Sequence, residues 1–72
     1  MNISIEYCTE WNYQPRALRV RDLLEERYNS NVDLVKSGDG VFEITIDGNL
    51  AFSKKKEGRF PIDEELIDLT FE

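Results

Sequence analysis

The 72-residue sequence contains no histidine and a single cysteine. One thiol rules out an intrachain disulfide. With no histidine there is no ligand set for a structural zinc ion or an iron–sulfur cluster. A Cys–His pair and a Ser–His–Asp triad are excluded on the same ground, and most hydrolase chemistry goes with them. Gly38, Gly40, Gly48 and Gly58 fall at turn spacings and form no phosphate-binding loop motif. No stretch approaches the roughly 18 apolar residues of a membrane span. Basic residues are the minority, nine against 15 acidic, for a net charge of −6. Nucleic-acid binding needs lysine and arginine to displace counterions from phosphates, so neither nucleic acid nor a membrane is an expected partner.

What is present fits one small domain over residues 1–72. A chain this short buries only about 60% of its unfolded surface, so nearly every apolar residue is needed. The apolar fraction of 40%, with four Phe, three Tyr and one Trp, supplies a core and argues against disorder. The chain enters an alternating stretch at once, with no basic segment and apolar run ahead of it, so no leader is expected. A lone thiol fits a reducing cytoplasm better than a secreted scaffold.

Residues 2–7 alternate, with Ile3, Ile5 and Tyr7 on one face, and predict a first strand ending at Cys8. Residues 8–14 read as a loop. Pro15 suits the first turn of a helix that runs to about Tyr28. Ala17, Val20, Leu23, Leu24 and Tyr28 share one face of that helix. A second strand is predicted over 32–36, a third over 41–46, and a fourth over 50–53 after a primed turn at Asp47-Gly48. Residues 54–59 read as a charged loop. A last short helix begins near Asp63 as N-cap, with Ile62 and Ile67 at staple spacing and Leu66, Leu69 and Phe71 docking on the sheet. The order β-α-β-β-β-α predicts an α/β, thioredoxin-like four-stranded mixed sheet. A right-handed parallel first unit and a hairpin give strand order 2-1-3-4, with residues 36–41 crossing the end of the first strand.

In open α/β sheets, ligands gather beyond the carboxyl ends of strands. Cys8 lies there, before a helix N-terminus whose free N–H groups favour a thiolate, and Arg16 in the first turn adds positive potential. A partly accessible thiol at the mouth of a shallow cleft is expected.

Several segments in order resemble the selenoprotein W-like (Rdx) family: Tyr7-Cys8-Thr9-Glu10, Tyr13-Gln14-Pro15-Arg16-Ala17, Gly40-Val41-Phe42-Glu43-Ile44, and the run from Gly48 to Pro61. The resemblance implies a thioredoxin-like fold, thiol redox activity, a redox loop of Thr9, Glu10, Trp11, Tyr13 and Arg16 around Cys8, and glutathione or a protein thiol as partner. The family carries C-x-x-C or C-x-x-selenocysteine. Cys8 takes the first position, while Trp11 stands at the second and cannot resolve a mixed disulfide. The tryptophan codon is one base from those of cysteine and selenocysteine.

Each candidate therefore has two readings. Cys8 is a low-pKa monothiol forming mixed disulfides, or a small buried hydrophobe that reacts slowly. Trp11, extended by Tyr13, is an aromatic platform for a partner, or a half-packed loop residue. Lys54, Lys55, Lys56 and Arg59 form an anion or partner patch, or a solvated loop that discourages edge pairing. The carboxylates from Asp22 to Glu26 and from Asp63 to Glu65 read as solvated helix faces. At the level of the whole protein, a thiol redox protein or sensor stands beside a non-catalytic module that binds a partner through the loop from Cys8 to Tyr13.

Overall fold

The computed structural model describes residues 1–69; the docking expected of Phe71 falls outside them. Strand β1 (Ile3–Cys8) leads to helix α1 (Gln14–Tyr28), then to β2 (Val32–Ser37), β3 (Phe42–Ile46) and β4 (Asn49–Ser53). Two short helices follow, α2 (Lys54–Glu57) and α3 (Asp63–Ile67). The sheet order is β2-β1-β3-β4, with β1 parallel to β2 and antiparallel to β3, as the sequence predicts. The architecture is a thioredoxin-like α/β arrangement.

The alternation in β1 sets the layers. Ile3, Ile5 and Tyr7 face a core completed by Val32, Phe42, Ile44, Ile46 and Phe52 from the other strands and by Ala17, Val20 and Leu24 from α1. Leu23 and Tyr28 pack against its margin. Each such apolar side chain gains about 1.5–3 kcal/mol on leaving water, so a single-layer core can hold a domain of this size. The opposite face of β1 carries Ser4 and Glu6. Their polar groups are used across the sheet: Ser4 and Thr45 share a hydroxyl–hydroxyl hydrogen bond, and Ser37 Oγ donates to Glu6 at 2.8 Å.

Asp47 (φ 51°) and Gly48 (φ 82°) both take left-handed backbone, which makes the β3–β4 connection the expected primed hairpin. Helix α1 ends on Asn29, also left-handed at φ 52°. The hydroxyl of Tyr28 then fastens α3. It lies 2.8 Å from the carbonyl oxygen of Leu66 and 2.6 Å from that of Ile67, and it accepts the N–H of Leu69 at 2.9 Å.

Two expectations need correction. Residues 54–57 are helical rather than loop, because Ser53 Oγ accepts the N–H of Lys56 and Gly58, at φ 74°, closes the turn. Helix α3 is capped one residue earlier than expected, at Ile62, whose N–H is accepted by Glu65. That shift dissolves the Ile62–Ile67 staple: these residues are 55% and 40% exposed, while Pro61 and Leu66 are the buried pair.

Candidate functional site

The site is built where β1 ends. Residues 38–41 cross over that end, as expected, and the carbonyls of Ser37 and Val41, at the two ends of the crossing, hold the strand. The N–H of Cys8 donates to the carbonyl of Val41 at 2.9 Å, and that of Thr9 to the carbonyl of Ser37 at 3.0 Å. Thr9 Oγ1 donates to the same Ser37 oxygen at 3.3 Å. The end of β1 is thus tied to both neighbours in the sheet.

The thiol differs from expectation. Cys8 is 0% exposed, not partly accessible. Position at a strand end dictates its place in the fold but not its accessibility; the loop that follows folds back over the crossing segment. Glu10 packs its carboxylate toward Gly38, where a Cβ would stand 3.6 Å from the carboxylate oxygen. Asn12 turns the chain at φ 59°. Trp11 lays its six-membered ring on Gly40, next to the residue that holds the Cys8 N–H. A Cβ at Gly40 would lie 2.7 Å from Trp11 Cε3, so only glycine provides this seat. The remainder of the indole faces solvent, and the residue is 59% exposed.

From Trp11 a string of edge-to-face aromatics runs inward. Trp11 meets Tyr13 at 6.1 Å between centroids, Tyr13 meets Phe60 at 4.9 Å, and Phe60 meets Phe42 at 5.4 Å. Such pairs add about 0.5–1.5 kcal/mol beyond burial. Tyr13 is also the N-cap of α1 and gives no side-chain cap, so the first turn keeps its unsatisfied N–H groups.

Sequence reasoning gave Phe60 no role at the site. It is a lone aromatic in a charged segment, and only the closing turn after α2 brings it beneath Tyr13. Its ring carries two cations. The Arg16 guanidinium stands 4.0 Å from the Phe60 centroid, and Lys54 Nζ stands 5.5 Å from it and 5.6 Å from the Tyr13 centroid.

The four residues of the basic segment do not converge. Only Lys54 joins the aromatic site. Lys55 uses its backbone N–H on Glu43, and Lys56 lines a groove of about 520 Å³ between β4 and α3 together with Leu50, Phe52 and Leu69. Arg59 grips Glu65 with two bonds of 2.8 and 2.7 Å and donates to the Phe60 carbonyl. This pairing, helped by the Ile62 N–H, pulls the Glu65 carboxyl down from its usual 4.5 to about 2. Of the acidic stretches, Glu25 accepts the N–H of Val32 at 3.0 Å, while Asp22, Glu26 and Glu64 are exposed.

The profile of the Rdx family matches residues 2–70. The chain belongs to the Rdx family. It is 33% identical over 69 residues to migration and invasion enhancer 1 of Bos taurus, covering 94% of this chain and 60% of that protein. It is 31% identical over 58 residues to selenoprotein W of Mus musculus, covering 75% of this chain and 66% of that protein. The chain therefore spans somewhat under two thirds of the length of these curated relatives. The crystal structure of a selenoprotein W-related protein from Vibrio cholerae superposes with a TM-score of 0.88 at 28% identity, over 94% of this chain and 89% of that one. These likenesses make the chain a small protein of the selenoprotein W-like type. Among the described residues no helix is long and apolar enough to cross a membrane.

Proposed function

We propose that this Rdx chain is a thiol redox protein or sensor that works through Cys8 by forming mixed disulfides. The observation that carries the reading is the place of Cys8, the last residue of β1, in the connection that leads into an α1 with no side-chain cap. In the proposed step the Cys8 thiol loses its proton and its sulfur attacks one sulfur of a disulfide such as glutathione disulfide. A bond forms between Cys8 and one half; the other half leaves with the electron pair of the broken bond and takes up a proton as a thiol. The chain has no second cysteine, so the thiol that resolves the mixed disulfide comes from another molecule. The buried sulfur must first be uncovered by a local opening of the chain around it. A single thiol fits a reducing compartment, and we place the activity in the cytoplasm.

A second reading is favoured by the buried thiol and the exposed Trp11 together: a binding module that keeps the fold and engages a partner through the loop from Cys8 to Tyr13. Labelling of native Cys8 with iodoacetamide across pH, together with mass spectrometry after incubation with glutathione disulfide, separates the two. Redox function requires labelling faster than global unfolding and a glutathione adduct on folded protein. Labelling only at the unfolding rate, with no adduct, eliminates it and leaves the binding module.

A further inference from the structure

We propose that the groove between β4 and α3 receives an extended basic segment of a partner protein, which adds to the sheet as a further strand beside β4. The groove is separate from Cys8 and from the loop that follows it, so the proposal stands whether the thiol reading holds or fails. The sheet order leaves β2 and β4 as the two edges. An edge strand presents unpaired N–H and C=O groups, and charged side chains commonly guard it against a new strand. β2 has such guards, because Asp33 and Lys36 are exposed along it. β4, Asn49-Leu50-Ala51-Phe52-Ser53, carries no charge and no proline. Among the described residues, the backbone of residues 49–52 bonds to no element but β3. The register shift opposite Ile44 and Thr45 leaves Ala51 without a partner, which bends the edge but does not cover it.

The edge is also hollowed. The groove of about 520 Å³ between β4 and α3 is continued toward Met1 by a second hollow of about 260 Å³, and the two share Leu50, Ala51 and Leu69. The rim is acidic. Glu57, Glu64 and Asp68 line it, exposed and outside the ion pairs formed among the described residues, against one cation, Lys56.

That charge decides the occupant. A second copy paired along β4 would bring two acidic rims to one seam, and each copy carries a net charge of −6. A basic strand meets the opposite sign. Alternate side chains of an added strand point to opposite faces. Those on the helix side cross Phe52 and Leu69 before they reach the carboxylates. Lysine and arginine suit this path, since their stems cover apolar surface while the charged heads stay in water beside an acid. On the other side Leu50, the cross-strand partner of Thr45 and 57% exposed, offers contact to an apolar residue. Backbone bonds to the edge supply affinity, and the alternating side chains supply selection.

The test titrates a blocked heptapeptide of alternating valine and lysine into the isotope-labelled chain and follows amide signals by NMR. Signals of residues 49–53 and 64–69 should shift saturably, and those of β2 should not. A peptide with glutamate in place of lysine should bind at least about tenfold more weakly. Methylating the valine nitrogens in one peptide and the lysine nitrogens in another blocks each strand edge in turn, and at least one of them should lose binding. Glu64→Gln with Asp68→Asn should weaken binding about fivefold, as two exposed charge contacts allow. Leu50→Lys gives β4 the kind of guard β2 has and should weaken it at least about tenfold, while Val35→Lys on the other edge should stay within about twofold of wild type. All four positions are exposed, so the variants should fold, and the spectrum of each without peptide checks it. No saturable shift, equal affinity for the glutamate peptide, or binding kept by both methylated peptides overturns the proposal. A dimer in sedimentation that Leu50→Lys dissolves would overturn it in favour of a second copy. Tighter peptide binding by Phe71→Ala would overturn it in favour of the chain's own end.

Discussion

The six-membered ring of Trp11 occupies the place where a Cβ of residue 40 would stand. Two constraints meet at Gly40. Its backbone is left-handed, at φ 68°, and its missing side chain is the seat of the indole. Gly40→Ala should cost about 2–3 kcal/mol, of which about 1–2 is the left-handed backbone. In a Trp11→Ala background the same substitution should cost only the backbone part. Urea unfolding of the four proteins in this cycle measures the coupling; a cost that is equal in both backgrounds would mean that the ring does not press on residue 40.

Trp11→Cys restores the family's C-x-x-C spacing. Because the indole is mostly in solvent, the reduced variant should lose only about 1 kcal/mol, well short of the 3–5 kcal/mol of a core tryptophan. On oxidation it should close a reversible bond between Cys8 and residue 11, seen as a loss of two hydrogens by mass spectrometry. Wild type should form only mixed or intermolecular disulfides. A folded variant that stays reduced under the same oxidant would show that the buried sulfur cannot reach residue 11.

Tyr28→Phe removes the hydroxyl that holds the C-terminal end of α3. The Leu66 and Ile67 carbonyls and the Leu69 N–H then lose a shared partner. Stability should fall by about 1–2 kcal/mol. Hydrogen exchange at the Leu69 amide should quicken more than at the core amides of β1. Equal changes everywhere would assign the loss to global packing.

Acid should weaken the junction between α2 and α3. The Glu65 carboxyl sits near 2 in the folded chain, against 4.5 ordinarily, because Arg59 and the Ile62 N–H hold its charged form. The folded state therefore resists protonation more than the unfolded one. The stabilisation is complete above about pH 4.5 and is lost as pH falls toward 2. The pair lies at the surface, so the effect should be about 1 kcal/mol or less. Melting curves across that window should be steeper in pH for wild type than for Glu65→Gln, which keeps an acceptor for the Ile62 N–H. Identical pH slopes would remove Glu65 from the account.

Much of this fold was legible in the chain. The alternation in β1, the apolar stripe of α1 and the Asp47-Gly48 turn are local signals, and each fixes its element alone. The sheet order followed from them, because a parallel unit and a hairpin leave few ways to join four strands. What escaped was decided by distant contacts or by single-residue offsets. Ser53 and Gly58 cap a helix inside what reads as a charged loop. Capping at Ile62 rather than Asp63 moved the buried pair to Pro61 and Leu66. The burial of Cys8 is a matter of tertiary packing at the strand end, which no spacing encodes. Arg59 reads as one more cation in a basic run, and only the turn into α3 gives it Glu65. Phe60 matters because of where Tyr13 and Arg16 are carried, by a helix far away in sequence.

The double tether of β1, through Cys8 to Val41 and through Thr9 to Ser37, separates two free energies that are usually entangled. A strand end without such ties frays, and its thiol is then exposed by the same melting that threatens the whole domain. Here the backbone on which the sulfur is mounted stays fixed unless the sheet itself opens. Fraying of β1 alone therefore does not uncover Cys8, and resistance to heat or urea is set by the core on one face of the sheet. Core substitutions that harden the fold leave both tethers of β1 in place.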